Sequence, residues 1–188
     1  MNHYYDYHMS TVLGQPIGLI GFFGCEAAQV GYHIASLTGL PFASVDRLVE
    51  HSMGCSVAEL TASRGIKAYR DQLEACLNTE LTSPPFGILA LPPDALLGAE
   101  VSMPPGCMTL VYLRMDLFDA FRALRRQLRA DPKRYLPHLS EPPQRPADLA
   151  QALHEREAGF AGAELILDVN GRHPAAVAEQ IIETLALN

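Results

Sequence analysis

At 188 residues, with 48% apolar and 19% charged side chains, the chain suits one domain with a buried core and does not have a disordered composition. A net charge of -7 argues against general nucleic-acid binding, and no run approaches the roughly 18 apolar residues of a membrane span. Cys25, Cys55, Cys76 and Cys107 are far apart with no C-x-x-C, and the histidines form no H-E-x-x-H, so neither a disulfide framework nor a zinc site is expected and a reducing cytoplasm fits. Residues 1–12 lack the charged-then-apolar order of a signal peptide and read as a polar, aromatic extension. That leaves 13–188 as a single domain without repeats.

In chain order, Ile17 to Ile20 is a short apolar run of the kind that forms a buried parallel strand. Gly21 and Gly24 allow a tight turn. Ala27, Val30, Ile34 and Leu37 then fall on one helical face, with Gly39 as the stop. Strand, glycine turn and helix make the frame of a phosphate-binding loop, G-x-x-x-x-G-K-[ST]. With Gly21 as the leading glycine, the second glycine is Glu26, the lysine is Ala27 and the hydroxyl residue is Ala28. The frame is kept and its chemical groups are replaced. The Glu26 carboxylate is expected to cap its own helix in place of a phosphate.

Phe42 to Val45 reads as a strand, with Asp46 capping the next helix. Phe86–Leu91 and Met108–Leu113 read as further buried strands. A helix from about Asp116 carries Leu117, Phe121, Leu124 and Leu128 at helical spacing, with Arg122, Arg125, Arg126 and Arg129 between them. Eight of the 14 Lys and Arg fall between Arg114 and Arg145. Two readings stand for them: a solvated helix face, or an anion-facing lid over 115–150. Five prolines between Pro132 and Pro146 predict an irregular loop. A helix over Asp148–Phe160, a strand over Leu165–Asp168 and a helix over Ala175–Leu187 follow. These elements predict an α/β fold with a central parallel sheet of about five strands flanked by helices.

The loop Gly21-Phe-Phe-Gly-Cys-Glu-Ala-Ala-Gln-Val-Gly31 resembles that of the shikimate kinases, G-F-M-G-A-G-K-S-T-V-G. Further landmarks follow in order. Ser44 and Asp46 stand at the two acids of F-x-D-x-D. Gly54-Cys-Ser-Val-Ala-Glu-Leu60 is similar to G-x-S-I-x-E-I, and Tyr69-Arg70 to the F-R of the next segment. Pro92, Pro93 and Asp94 replace three glycines whose N–H groups face substrate and phosphate in the family. Proline has no N–H to give, and an acid there repels phosphate. Arg134 aligns with a lid arginine, Arg156 and Phe160 with R-x-x-x-Y, and Arg172 and Pro174 with an adenine-contacting turn.

The resemblance implies a P-loop-kinase-like three-layer sandwich. It implies that Asp46, Arg70 and Arg156 hold the hydroxyls and carboxylate of a small ring compound, and that Asp46 is the catalytic candidate if the chain is active. Arg134, Arg172 and Pro174 would be vestiges of a nucleotide site beside the degenerate loop Gly21, Gly24, Glu26, Ala27 and Ala28. Ordinary use of ATP and Mg²⁺ is then not expected, and no metal or other cofactor is implied. Three functions stand: a pseudoenzyme with a pocket for a small carboxylated hydroxy compound; an active shikimate-type kinase with other phosphate-holding residues and ATP with Mg²⁺; or a protein-interaction module, its partner unspecified, whose arginines pair with nearby acids such as Glu74 and Glu157. No nucleic-acid or membrane partner is expected.

Overall fold

The computed structural model describes residues 13–97, 106–132, 136, 139 and 141–187. The expectations for residues 1–12 and for Arg134 lie outside these residues.

Strand β1 (Ile17–Gly21) is buried at every position, as a strand covered on both faces must be. A short loop leads into α1 (Ala27–Thr38). Gly39 ends this helix in the left-handed conformation, with φ 72° and its N–H donating to the Ala35 carbonyl. Strand β2 (Phe42–Ser44) runs directly into α2 (Val45–Met53). Helix α3 (Val57–Thr82) opens on a reciprocal capping box between Ser56 and Glu59 and breaks at Gly65, where φ is 81°. Strands β3 (Ile88–Ala90) and β4 (Thr109–Arg114) follow. Helix α4 (Leu117–Ala130) is capped by Asp116, whose carboxylate accepts from the Asp119 N–H. A 3-10 turn, Pro146–Leu149, enters α5 (Ala150–Phe160), and β5 (Leu165–Asp168) and α6 (Pro174–Leu185) complete the described elements.

The strands form one five-stranded sheet in the order β2-β3-β1-β4-β5, and each neighbouring pair is parallel. With its flanking helices this is the three-layer α/β sandwich of the P-loop kinases. Ile17 pairs with Ile88 on one side and with Thr109 on the other. Because every strand runs the same way, the loops that follow them gather at one edge. The strand order reverses around β1, and open parallel sheets bind ligands in the crevice at that reversal.

Burial explains most of the helical pattern and corrects part of it. Val30 and Ile34 are buried where α1 packs against α6 and β3. A fully buried aliphatic side chain of this kind contributes about 1.5–3 kcal/mol. Leu37, expected on the same face, is 60% exposed. It sits in the last turn of α1, in a surface hollow with Ile182 and Ala186. Asp46 was expected to cap α2, but Ser44 holds the N-cap position and Asp46 lies inside the first turn. The chain leaves β2 without a connecting residue, which moves the cap two positions earlier. Among the described residues no helix is long and apolar enough to cross a membrane, and no cluster of His, Cys, Asp or Glu is arranged to hold a metal ion.

Candidate functional site

The loop after β1 keeps the backbone course its glycine spacing predicts. Gly24 has φ 89°, and a Cβ there would lie 2.7 Å from the Ala123 Cβ, so α4 rests directly on the loop. Glu26 has φ 58° and ψ 35°, a left-handed conformation that L residues with long side chains avoid. Its carbonyl accepts from the N–H groups of Gln29 at 2.9 Å and Val30 at 3.1 Å. Its carboxylate makes no capping hydrogen bond, which corrects the expectation of a built-in phosphate substitute. A capping side chain reaches back from extended backbone, and the left-handed turn at Glu26 denies it that direction. Ala27 is buried and Ala28 is exposed.

The strained position gives a direct test. Glu26→Gly is expected to raise the unfolding free energy by roughly 0.5–1 kcal/mol, since relief of left-handed strain outweighs the extra freedom of glycine in the unfolded chain. Urea denaturation of the two proteins measures it. A loss of stability instead would show that the Glu26 side chain makes contacts worth more than the strain.

A cavity of about 400 Å³ opens between this loop, α4 and the turn before α6. It brings together Gly24, Glu26, Arg122, Arg126, Arg172 and Pro174, all singled out in the sequence, and adds Asp119 and His173. Arg122 meets Asp119 at 3.7 Å and lies over the Phe118 ring at 5.7 Å, and Arg125 lies over the Phe121 ring at 5.7 Å. Arg172 is held by its own neighbourhood: Nη1 donates to the Gln180 Oε1 and the Asp168 carbonyl, and Nη2 to the Ala176 carbonyl. His173 caps α6, its Nδ1 accepting from the Ala175 N–H at 3.3 Å. Next to the lining residues Met115 and Val169, Arg114 and Asp168 are joined across β4 and β5 by two hydrogen bonds of 2.7 Å. Those bonds to Arg114 hold the Asp168 carboxyl below its ordinary value.

On the other side of the loop, Asp46 is half-buried and its Oδ1 accepts from the Tyr69 hydroxyl at 2.8 Å. Arg70, half-buried, is the next residue along α3. Arg156 differs. It is 1% exposed, Asp94 is 3% exposed, and the two form a buried ion pair. Arg156 Nε donates to Asp94 Oδ1 at 2.8 Å, Nη2 donates to the same oxygen, and Nη1 donates to the Ala152 carbonyl. The guanidinium carbon lies 5.9 Å and 5.4 Å from the ring centres of Phe22 and Phe23, within cation–π range of the loop after β1.

Local packing explains how the pair is built. Asp94 sits in a turn in which the Ala95 N–H donates to the Pro92 carbonyl and the Leu97 N–H to the Asp94 carbonyl, each at 3.0 Å. Gly159 lets α5 press on that turn, for a Cβ there would lie 2.8 Å from the Leu96 carbonyl oxygen. The interaction-module reading pairs Arg156 with a nearby acid such as Glu157, but Glu157 meets His154 at 3.3 Å. Sequence reasoning missed the partner, reading Asp94 only as a repeller of phosphate. A signal was present: Ala152, Arg156 and Phe160 recur at helical spacing along one buried stripe, with a cation in its middle.

A family model described as "Shikimate kinase" matches residues 24–186. A shikimate kinase of Moorella thermoacetica is 29% identical over 169 residues, spanning 90% of this chain and 93% of that protein. One of Paracidovorax citrulli is 31% identical over 181 residues, spanning 91% and 92%. Among solved structures, the shikimate kinase from Acinetobacter baumannii in complex with shikimate superposes with a TM-score of 0.76 at 21% identity, covering 92% of this chain and 94% of that one. The shikimate kinase from Bacteroides thetaiotaomicron also gives 0.76, at 19% identity, covering 92% and 99%.

Proposed function

The chain belongs to the shikimate kinase family, and from that premise we propose that it is a member without ordinary ATP-dependent phosphotransfer that keeps a pocket for a small carboxylated hydroxy compound. One observation carries this reading. The second-glycine position of the loop keeps its left-handed backbone but holds Glu26, and Ala27 and Ala28 follow it.

The family uses ATP and Mg²⁺, and the residues here do not fit them. Transfer of a phosphoryl group rests on positioning and on neutralising its charge. Glu26 lines the cavity with the wrong sign, Ala27 has no ammonium for the phosphates, and Ala28 has no hydroxyl for the metal. Ser44 replaces the metal-side acid, and Pro92 and Pro93 offer no N–H.

Residues 13–188 form the single domain of this reading, 115–150 its lid segment, and the cytoplasm its compartment. In this reading Asp46, Arg70 and Arg156 are the holders for a carboxylated hydroxy compound. Arg172, Pro174 and Arg134 are vestiges of nucleotide contact. A second reading has one observation in its favour: Arg122 and Arg126 line the cavity that holds Glu26. They are the groups that would stand in for the lost lysine in an active kinase.

Incubation with Mg-ATP and shikimate separates the two. The expected result is no turnover approaching the roughly 1 s⁻¹ at the low end of kinases. Turnover at or above that rate, lost on replacing Arg122 and Arg126 with alanine, would establish the second reading in place of the first.

A further inference from the structure

We propose that Asp94 is a tethered ligand: its carboxylate occupies Arg156 and closes from within a site for the carboxylate of a small hydroxy acid. This rests on the family reading of Arg156 and adds to it a reason why the site is shut. The guanidinium is almost wholly withdrawn from water and walled by Phe22 and Phe23, and its Nε and Nη2 edge is filled by a single Asp94 oxygen. Desolvated ion pairs of this kind are often replaceable by apolar side chains without loss of stability. Stability alone therefore does not account for a cation in the apolar stripe of α5. A carboxylate-recognising guanidinium does.

The surroundings agree. The Asp94 turn follows β3, at the sheet edge where the loop after β1 also lies. Asp46 lies in the first turn after the neighbouring strand β2, and the Tyr69 hydroxyl, one residue before Arg70, joins α3 to it. Asp94 thus delivers an acid to the carboxyl-end crevice from a turn clamped by α5 at Gly159. An intramolecular carboxylate has a high effective concentration, so a free acid competes with it poorly.

The test compares wild type with Asp94→Gly and Asp94→Asn by thermal shift, using millimolar shikimate, its methyl ester and acetate as probes. Asp94→Gly leaves Arg156 buried without this partner and is expected to melt lower by on the order of 10 °C. Shikimate is expected to recover about 3 °C or more of that loss while moving wild type by less than about 1 °C. The ester, lacking the charge, should recover none. The double variant Asp94→Gly/Arg156→Met should not respond. If Asp94→Gly does not fold, Asp94→Asn keeps the shape without the charge, and the same order of responses is expected at smaller size.

Recovery by acetate alone would make the pair a structural bridge and overturn the proposal. So would equal shifts in wild type and variant, or no response in either variant. None of these outcomes touches the absence of phosphotransfer, which the Mg-ATP assay reads separately.

Discussion

Arg156→Ala is expected to cost roughly 3–5 kcal/mol of unfolding free energy, the range for breaking a buried ion pair from one side. Arg156 is 1% exposed and Asp94 3%, so solvent does little to screen the Asp94 carboxylate once its partner is gone. The variant also gives up the contacts with Phe22 and Phe23 and empties a large space beside Phe160. Arg156→Met with Asp94→Leu should behave quite differently, staying within about 1 kcal/mol of wild type or exceeding it, because both desolvation penalties vanish together. Urea denaturation of wild type, Arg156→Met, Asp94→Leu and their double variant closes the cycle. A cost below about 1 kcal/mol for Arg156→Ala, the range of exposed pairs, would contradict the buried geometry.

Ala27→Lys alone is expected to leave shikimate phosphorylation below the kinase range. The lysine would return to its register at the first residue of α1, but Glu26 precedes it and lines the cavity. Two unit charges about 4 Å apart interact by roughly 4 kcal/mol at an intermediate dielectric. At about 1.4 kcal/mol per tenfold, a repulsion of that size between the Glu26 carboxylate and a phosphate cancels what one restored cation supplies. Adding Glu26→Gly and Ala28→Ser removes the repulsion and restores the hydroxyl, yet Pro92 and Pro93 still withhold their N–H groups after β3. Turnover is expected only when that turn too is rebuilt with glycine. Single-turnover assays along this series measure each step, and a rate of about 1 s⁻¹ or more from Ala27→Lys alone would refute the account.

Much of the fold was legible because a doubly covered parallel strand writes itself as an uninterrupted apolar run. Ile17–Ile20 is one such run, and the structure adds only Gly21 to it. Phe86–Leu91 shrinks to Ile88–Ala90 because apolar residues also pack in the flanking turns, where burial carries no mark of strand pairing. Gly39 was readable as a stop from local chemistry alone. Glu26 shows where local reasoning fails: the residue type suggests a cap, but the left-handed backbone it adopts leaves its carboxylate without a capping hydrogen bond. The Asp94–Arg156 pair fails for another reason. Its members are 62 positions apart, and only the docking of α5 on the turn after β3 makes them neighbours. No periodicity links residues across such a distance, although the odd cation in a buried stripe announces that a partner exists.

The placement of β1 at the centre of the sheet also governs the order in which the chain can fold. Its two neighbours are encoded far downstream, Ile88–Ala90 on one side and Thr109–Arg114 on the other. During synthesis, Ile17–Gly21 therefore emerges with both edges unpaired, and it stays so while α1, β2, α2 and α3 leave the ribosome. Helices can form locally in that interval, but the central strand cannot close a long loop until its partners arrive. The first ladder to become available is the short one with β3, and the longer ladder with β4 waits for Thr109. A nascent chain at that stage carries an apolar strand with two open edges, the form of exposed surface on which chaperones act and from which aggregation begins.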